Sequence, residues 1–186
     1  MLTTLFGKKK LTEEKTANIF VNTLTSVVDN TFEEVRTSII NDPVFEKQPK
    51  ISINDSDKLL MIVLASNLKL LSKYFSASEE MLLKGKIIDK FSTVFGLEYD
   101  QMKTIISKYS EFCSRVNHPS KNIIYGMSKA IFFKYDLGKY QDDYFAQLNA
   151  PNPIFLKRMD SIMENYIWDW NNFFNKYKIS PSEDKS

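Results

Sequence analysis

From Ala17 to Ile39 the apolar residues return at steps of three and four: Ala17, Phe20, Leu24, Val27, Val28, Phe32, Val35 and Ile39. That spacing gathers them on one side of an α-helix and would scatter them over both faces of a strand, so it commits this stretch to helix. Thr12 stands in front as an N-cap, and Glu13 and Glu14 place negative charge on the first turn, where the exposed N–H groups favour it. Pro43 closes the helix, because its ring cannot continue one.

The remaining chain is punctuated in the same way by only five glycines and six prolines. A loop, "NDPVFEKQPKISINDSD", follows the first helix, with room for a lone short strand at Ile51–Ile53. A second helix starts after Ser56 and carries the run "LLMIVL". Its continuation through Leu68, Leu70, Leu71 and Phe75 outlasts a strand, and being apolar all round it belongs in the centre of a core. A third follows Ser78, with Met81, Leu82, Ile87, Ile88, Phe91, Val94 and Phe95 as its core residues and Gly96 as its C-terminal stop. A fourth covers residues 100–116, broken by "NHPSKN", and a fifth covers 120–136, ending near Gly138. A short helix over 140–148 leads to "NAPNP", where Asn152 caps and Pro153 takes the first position of a last helix over 153–177. The expectation is an all-α, single-domain bundle of six or seven helices spanning 12–178, with a flexible arm at 1–11 and a flexible tail at 179–186.

The formal charge of +2, with both signs mixed along the chain, gives no field to gather nucleic acid or an anionic membrane. A helix–glycine–helix arrangement around "VFGLEYD" has the outline of a DNA-reading motif. Its second helix opens with Glu98, Tyr99 and Asp100, which repel phosphates, so nucleic acid is not the expected partner. No apolar stretch reaches the length of a membrane span, and "MLTTLFGKKKL" sets its apolar residues before its lysines, the reverse of a secretory leader. Residues 1–10 offer at most a weak peripheral membrane contact through Leu2, Leu5 and Phe6 beside Lys8, Lys9 and Lys10. The single Cys113 excludes an internal disulfide framework, and the expected location is cytoplasmic.

Catalytic and cofactor signatures are missing from the sequence. One histidine, His118, and one cysteine make no familiar zinc set, and Glu-x-x-His pairs do not occur. Cys113 falls on an apolar helix face with Ile105, Ile106, Tyr109 and Phe112, which predicts a buried, inert thiol. The adjacent acids Glu13–Glu14, Glu33–Glu34, Glu79–Glu80 and Asp142–Asp143 point about 100° apart on a helix and form no carboxylate dyad. The glycines are too scattered for a phosphate-cradling loop. The expectation is therefore a non-enzymatic protein with no cofactor and no metal.

What remains is "ENYIWDWNNFFNKY", residues 164–177. On an uninterrupted helix, Leu156, Met159, Met163, Tyr166, Ile167, Phe173, Phe174 and Tyr177 lie within about 60° of Trp170, a buried stripe. Trp168 lies about 160° away, among Asn171 and Asn172: either the N-terminal arm or the 43–56 loop folds over it, or it is exposed and has the composition of an interface anchor. On the fifth helix Tyr125 and Phe132 point away from the core face of Ile123, Ile124, Met127, Ala130 and Ile131; because the segment is apolar nearly all round, a helix packed on both sides is the better account of them, and a second aromatic patch is the alternative. The sequence thus predicts a protein acting through contacts with a protein partner or a second copy of itself, as adaptor, regulator, inhibitor or assembly subunit. The contact residues expected are Trp168, Asn171, Asn172, Tyr125 and Phe132. The alternative is a helical bundle holding a small hydrophobic ligand or lipid between its Met- and Phe-rich helices 81–95 and 153–177. Under the first reading, Trp168→Ala should cost little stability.

Overall fold

A computed structural model describes residues 7–180. Leu2, Leu5 and Phe6, the apolar half of the expected membrane contact, lie outside the described residues. The fold is all-α, with 72% of the described residues helical. The helices of seven residues or more among the described residues are α1 (Glu13–Ile40), α2 (Ser56–Leu70), α3 (Ala77–Phe95), α4 (Tyr99–Asn117), α5 (Ile123–Lys134), α7 (Pro153–Met163) and α8 (Trp170–Lys176); α6 (Asp143–Gln147) is a five-residue turn between α5 and α7. Two three-residue strands, β1 (Lys9–Leu11) and β2 (Tyr177–Ile179), pair in parallel, with Lys9 opposite Tyr177 and Leu11 opposite Ile179. Residues 9–11 and 179, expected in the flexible arm and tail, are thus fastened to each other. Ile51–Ile53 forms no strand: Ile51 is buried while Ile53 is 62% exposed. No described helix is long and apolar enough to cross a membrane.

Contacts gather the described residues into two compact units, one from 7–23, 70–103 and 168–180, the other from 24–69 and 104–167. The first is centred on aromatic rings. Trp170 is fully buried, lying parallel to Phe20 at 6.0 Å between centroids and meeting Phe75 edge-on at 4.9 Å, with Phe173 at 5.5 Å and Phe174 at 5.8 Å. In the second, Leu59 to Leu64 of α2 are buried all round, as the "LLMIVL" run requires, and α5 packs along α7.

Local signals set most helix ends. Thr12 Oγ1 accepts the Lys15 N–H, and Asn152 Oδ1 accepts that of Ile154 ahead of Pro153. Helix α3 starts two residues earlier than expected, on a Ser76–Glu79 capping box, and stops at Gly96 with φ +63°. Those Ser76 hydrogen bonds hold the Glu79 carboxyl below its ordinary range. The buried face of α3 is the four-step row Leu83, Ile87 and Phe91, so Met81, about 200° from Leu83, is 74% exposed. Leu82, Val94 and Phe95 also stay at the surface, contrary to their expected place in the core.

The main departure is the last helix, which breaks. Helix α7 ends at Met163 and gives way to a tight 3₁₀ turn over Glu164–Tyr166 and to extended backbone at Ile167, with φ −83° and ψ 123°. Two side chains account for this. Asn67, buried in α2, donates its Nδ2 to the Tyr166 carbonyl at 2.8 Å, giving a partner to a group that the ended helix leaves over. Asp169 then caps α8, its Oδ1 accepting the Asn172 N–H at 2.9 Å. The break turns the second indole inward: Trp168 is half-buried, 5.1 Å from Phe20 and 5.8 Å from Trp170, with its Nε1 enclosed.

Trp168→Ala should therefore lose about 3 kcal/mol in urea unfolding, as core aromatic truncations do. Asp169→Ala should lose about 1 kcal/mol through the cap alone. An unchanged midpoint for Trp168→Ala would return that indole to the surface.

Candidate functional site

The break removes the premise on which Trp168 was expected to anchor a partner. Asn171 and Asn172 are exposed on the first turn of α8, but the tryptophan they were to surround is packed with Phe20, Trp170 and Phe173. Phe132 is also withdrawn, 1% exposed, with Phe133 at 5.2 Å, Phe155 at 6.0 Å and Gly138 closing over its ring. Helix α5 is sandwiched, so its second apolar side is core. Of the five residues singled out from sequence, Tyr125 is the one whose ring reaches a cleft.

That cleft, about 390 Å³, belongs to the second unit and lies between the start of α5 and the start of α7. Asn122 caps α5 by accepting the Tyr125 N–H, so Tyr125 and Lys129, four residues on, share one face. The Lys129 Nζ sits 4.8 Å from the Tyr125 ring centroid, a cation held against an aromatic face. The Tyr125 hydroxyl makes no hydrogen bond to another described residue. Opposite stand Pro153, Leu156, Lys157 and Asp160 of α7, with Ala150 and Pro151 from the connecting loop. The Asp160 carboxylate takes a hydrogen bond from the buried Ser128 hydroxyl, which ties the two helices. Neither lysine has a carboxylate within ion-pair distance among the described residues.

The loop is stiff. Buried Gln141 donates from Nε2 to the Ala150 carbonyl at 2.9 Å and accepts the Asn152 N–H at 2.7 Å, gripping both sides of Pro151. Asn149 turns the chain with φ 48°, a left-handed geometry that asparagine tolerates. Helix α7 is fixed from its far side by a two-pronged pair: Arg158 Nε and Nη2 bind the Asp42 carboxylate at 2.9 and 2.7 Å, with that carboxylate only 6% exposed. On this scaffold Tyr144, Leu148 and Ile154 stand 69, 57 and 59% exposed. Tyr144 and Leu148 are one helical turn apart and share a face of α6. The sequence reading passed over Tyr144 and Leu148 because a five-residue helix has too little periodicity to show which side it buries, and over Ile154 because it stands on the first turn of α7, off the buried row of Leu156, Met159 and Met163.

Other clefts carry less. One of about 710 Å³ runs along Arg36, Lys50 and Asp55, but the Arg36 guanidinium already binds the Ile51 carbonyl and Glu33, and Asp55 pairs with Lys58. In the first unit Met81, Leu82, Gly85 and Tyr99 line an open groove of about 460 Å³. A narrow crevice among Ser66, Cys113, Ser114 and Asn117 measures about 20 Å³, room for a water and far short of the several hundred Å³ that a lipid or drug-sized ligand fills. Lys134 rests over the rings of Tyr109 and Phe112 at 4.3 and 4.5 Å.

Groups displaced from their ordinary acidity follow packing. Burial pushes up the phenols of Tyr109, Tyr135 and Tyr166; Tyr135 donates to the Asp55 carbonyl and Tyr166 shares a hydrogen bond with Thr31. Burial likewise pushes the Cys113 thiol up to about 11, against the opposing pull of the Lys134 and Lys69 ammonium groups. No group of three His, Cys, Asp or Glu suited to a metal occurs among the described residues. No family model, curated protein or solved structure matches the chain.

With its thiol at about 11, Cys113 should react with iodoacetamide at pH 8 about a hundredfold more slowly in the folded protein than in urea. Equal rates in the two states would show a thiol far more accessible and more acidic than this packing allows.

Proposed function

We propose that this chain is a non-enzymatic helical protein that acts through protein contacts, and that its contact surface is the α6–α7 face of the second unit. The observation that carries this reading is the exposure of Tyr144, Leu148 and Ile154 within residues 144–154, a stretch whose connecting loop Gln141 ties down at Ala150 and Asn152. Apolar side chains kept in water by a fixed backbone gain free energy when a partner covers them, about 25 cal/mol for each Å². A stiff loop also loses little conformational entropy on binding, which leaves more of that gain as affinity. The adjoining cleft, with an aromatic ring, two prolines and two lysines, supplies the polar and shaped rim that such surfaces carry. Tyr125 keeps its expected role in this reading; Trp168 and Phe132 do not.

The test is selection of random displayed peptides on the purified protein, with sedimentation velocity in parallel. Clones are then measured against wild type and against a variant carrying Tyr144→Ser, Leu148→Ser and Ile154→Ser. The expected result is a set of clones whose Kd rises at least about tenfold in the variant, worth roughly 1.4 kcal/mol, with the melting temperature retained. A wild-type dimer that dissociates in the variant would equally support a contact role, the partner then being a second copy. A monomer with no clone sensitive to the variant would overturn the reading.

A further inference from the structure

We infer that the Tyr125 cleft takes an acidic peptide segment of the partner, seating a carboxylate between Lys129 and Lys157 and an apolar side chain against Pro151, Pro153 and Leu156; this rests on the protein-contact reading above. The argument is one of charge and unused hydrogen-bonding capacity. Lys129 and Lys157 both line the 390 Å³ cleft, and neither has a carboxylate within ion-pair distance among the described residues. The one acidic side chain lining it, Asp160, sets a single negative charge against two positive ones, accepts its hydrogen bond from the Ser128 hydroxyl and pairs with neither lysine, so the cleft keeps a net positive charge. Lys129 is half-buried against the Tyr125 ring, which shields part of it from water and strengthens its attraction for an incoming anion. The Tyr125 hydroxyl, without a hydrogen-bond partner among the described residues, can donate to the same carboxylate.

The apolar side of the cleft limits what kind of acid fits. Pro151 and Pro153 hold no backbone N–H to offer, so this wall presents carbon, and Leu156 below it is buried. A phosphate or an oligonucleotide would match the lysines and leave that wall uncovered, whereas a peptide with an apolar residue next to Asp or Glu covers both.

The clones selected on the purified protein give the probe. A fluorescein-labelled synthetic peptide of the most enriched sequence is titrated by anisotropy against wild type, Lys129→Glu/Lys157→Glu and Lys129→Gln/Lys157→Gln. The expected outcome is enrichment of Asp or Glu beside an apolar residue, with affinity falling about tenfold or more in the Glu variant and less in the Gln variant. A peptide with its acids changed to lysine should recover binding to the Glu variant. Clones that depend on Tyr144, Leu148 and Ile154 but ignore both lysine variants would overturn this inference and leave the contact reading standing. Displacement of the peptide by inorganic phosphate or by a short oligothymidine, at concentrations where a neutral peptide has no effect, would overturn it in favour of a phosphate-bearing ligand. If no clone binds the face at all, both readings fall.

Discussion

A helix that stops in the protein interior must hand its last carbonyl groups to some other donor, and here the donor is Asn67. Its side chain reaches from α2 across a separation of 99 residues to the Tyr166 carbonyl and at the same time bonds the Val63 carbonyl of its own helix. An amide buried at 1% exposure is costly unless its hydrogens are used, and both are. From that point the backbone is free to extend for three residues, and Asp169 restarts it as α8. Because of that interruption both indoles turn to the same side, and Trp168 joins Phe20, Trp170 and Phe173 instead of facing away from them.

How much of this was legible depends on the range over which each cause acts. Helix α1 was read correctly at both ends, since Thr12, Glu13, Glu14 and Pro43 act within a turn of the residues they affect. Asn152, Pro153 and Gly96 were legible for the same reason. The break at 164–169 had one local sign, Asp169, a good cap and a weak helix former in the middle of an apolar stripe. Its other cause, Asn67, lies in another helix, and periodicity within one segment carries no trace of it. Helix α3 went astray differently: Met81 and Leu82 were taken as core by residue type, although the row through Leu83, Ile87 and Phe91 was there to be read.

The proposed contact site divides along the same line. Tyr125 was singled out because it sits off the apolar face of a helix whose pattern is clear. Lys129 was within one turn of it and carried no mark of its own. Lys157, Pro151 and Leu156 come from a different stretch of chain, and only the packing of α5 against α7 brings them opposite Tyr125. The Asp42–Arg158 pair keeps α7 in that position while contributing no atom to the cleft. A surface of this kind is a property of tertiary structure, and its chemistry is written in residues that look ordinary one at a time.

The pairing of Lys9–Leu11 with Tyr177–Ile179 has a mechanical side. The two strands run in the same direction, and the Leu11 carbonyl is held by the Ser180 N–H at 2.8 Å. Tension applied through residue 7 on one flank and residue 180 on the other drags the strands past each other lengthwise, so every cross-strand bond is strained together instead of peeling away in turn. A few hydrogen bonds loaded in shear resist far better than the same number opened one by one.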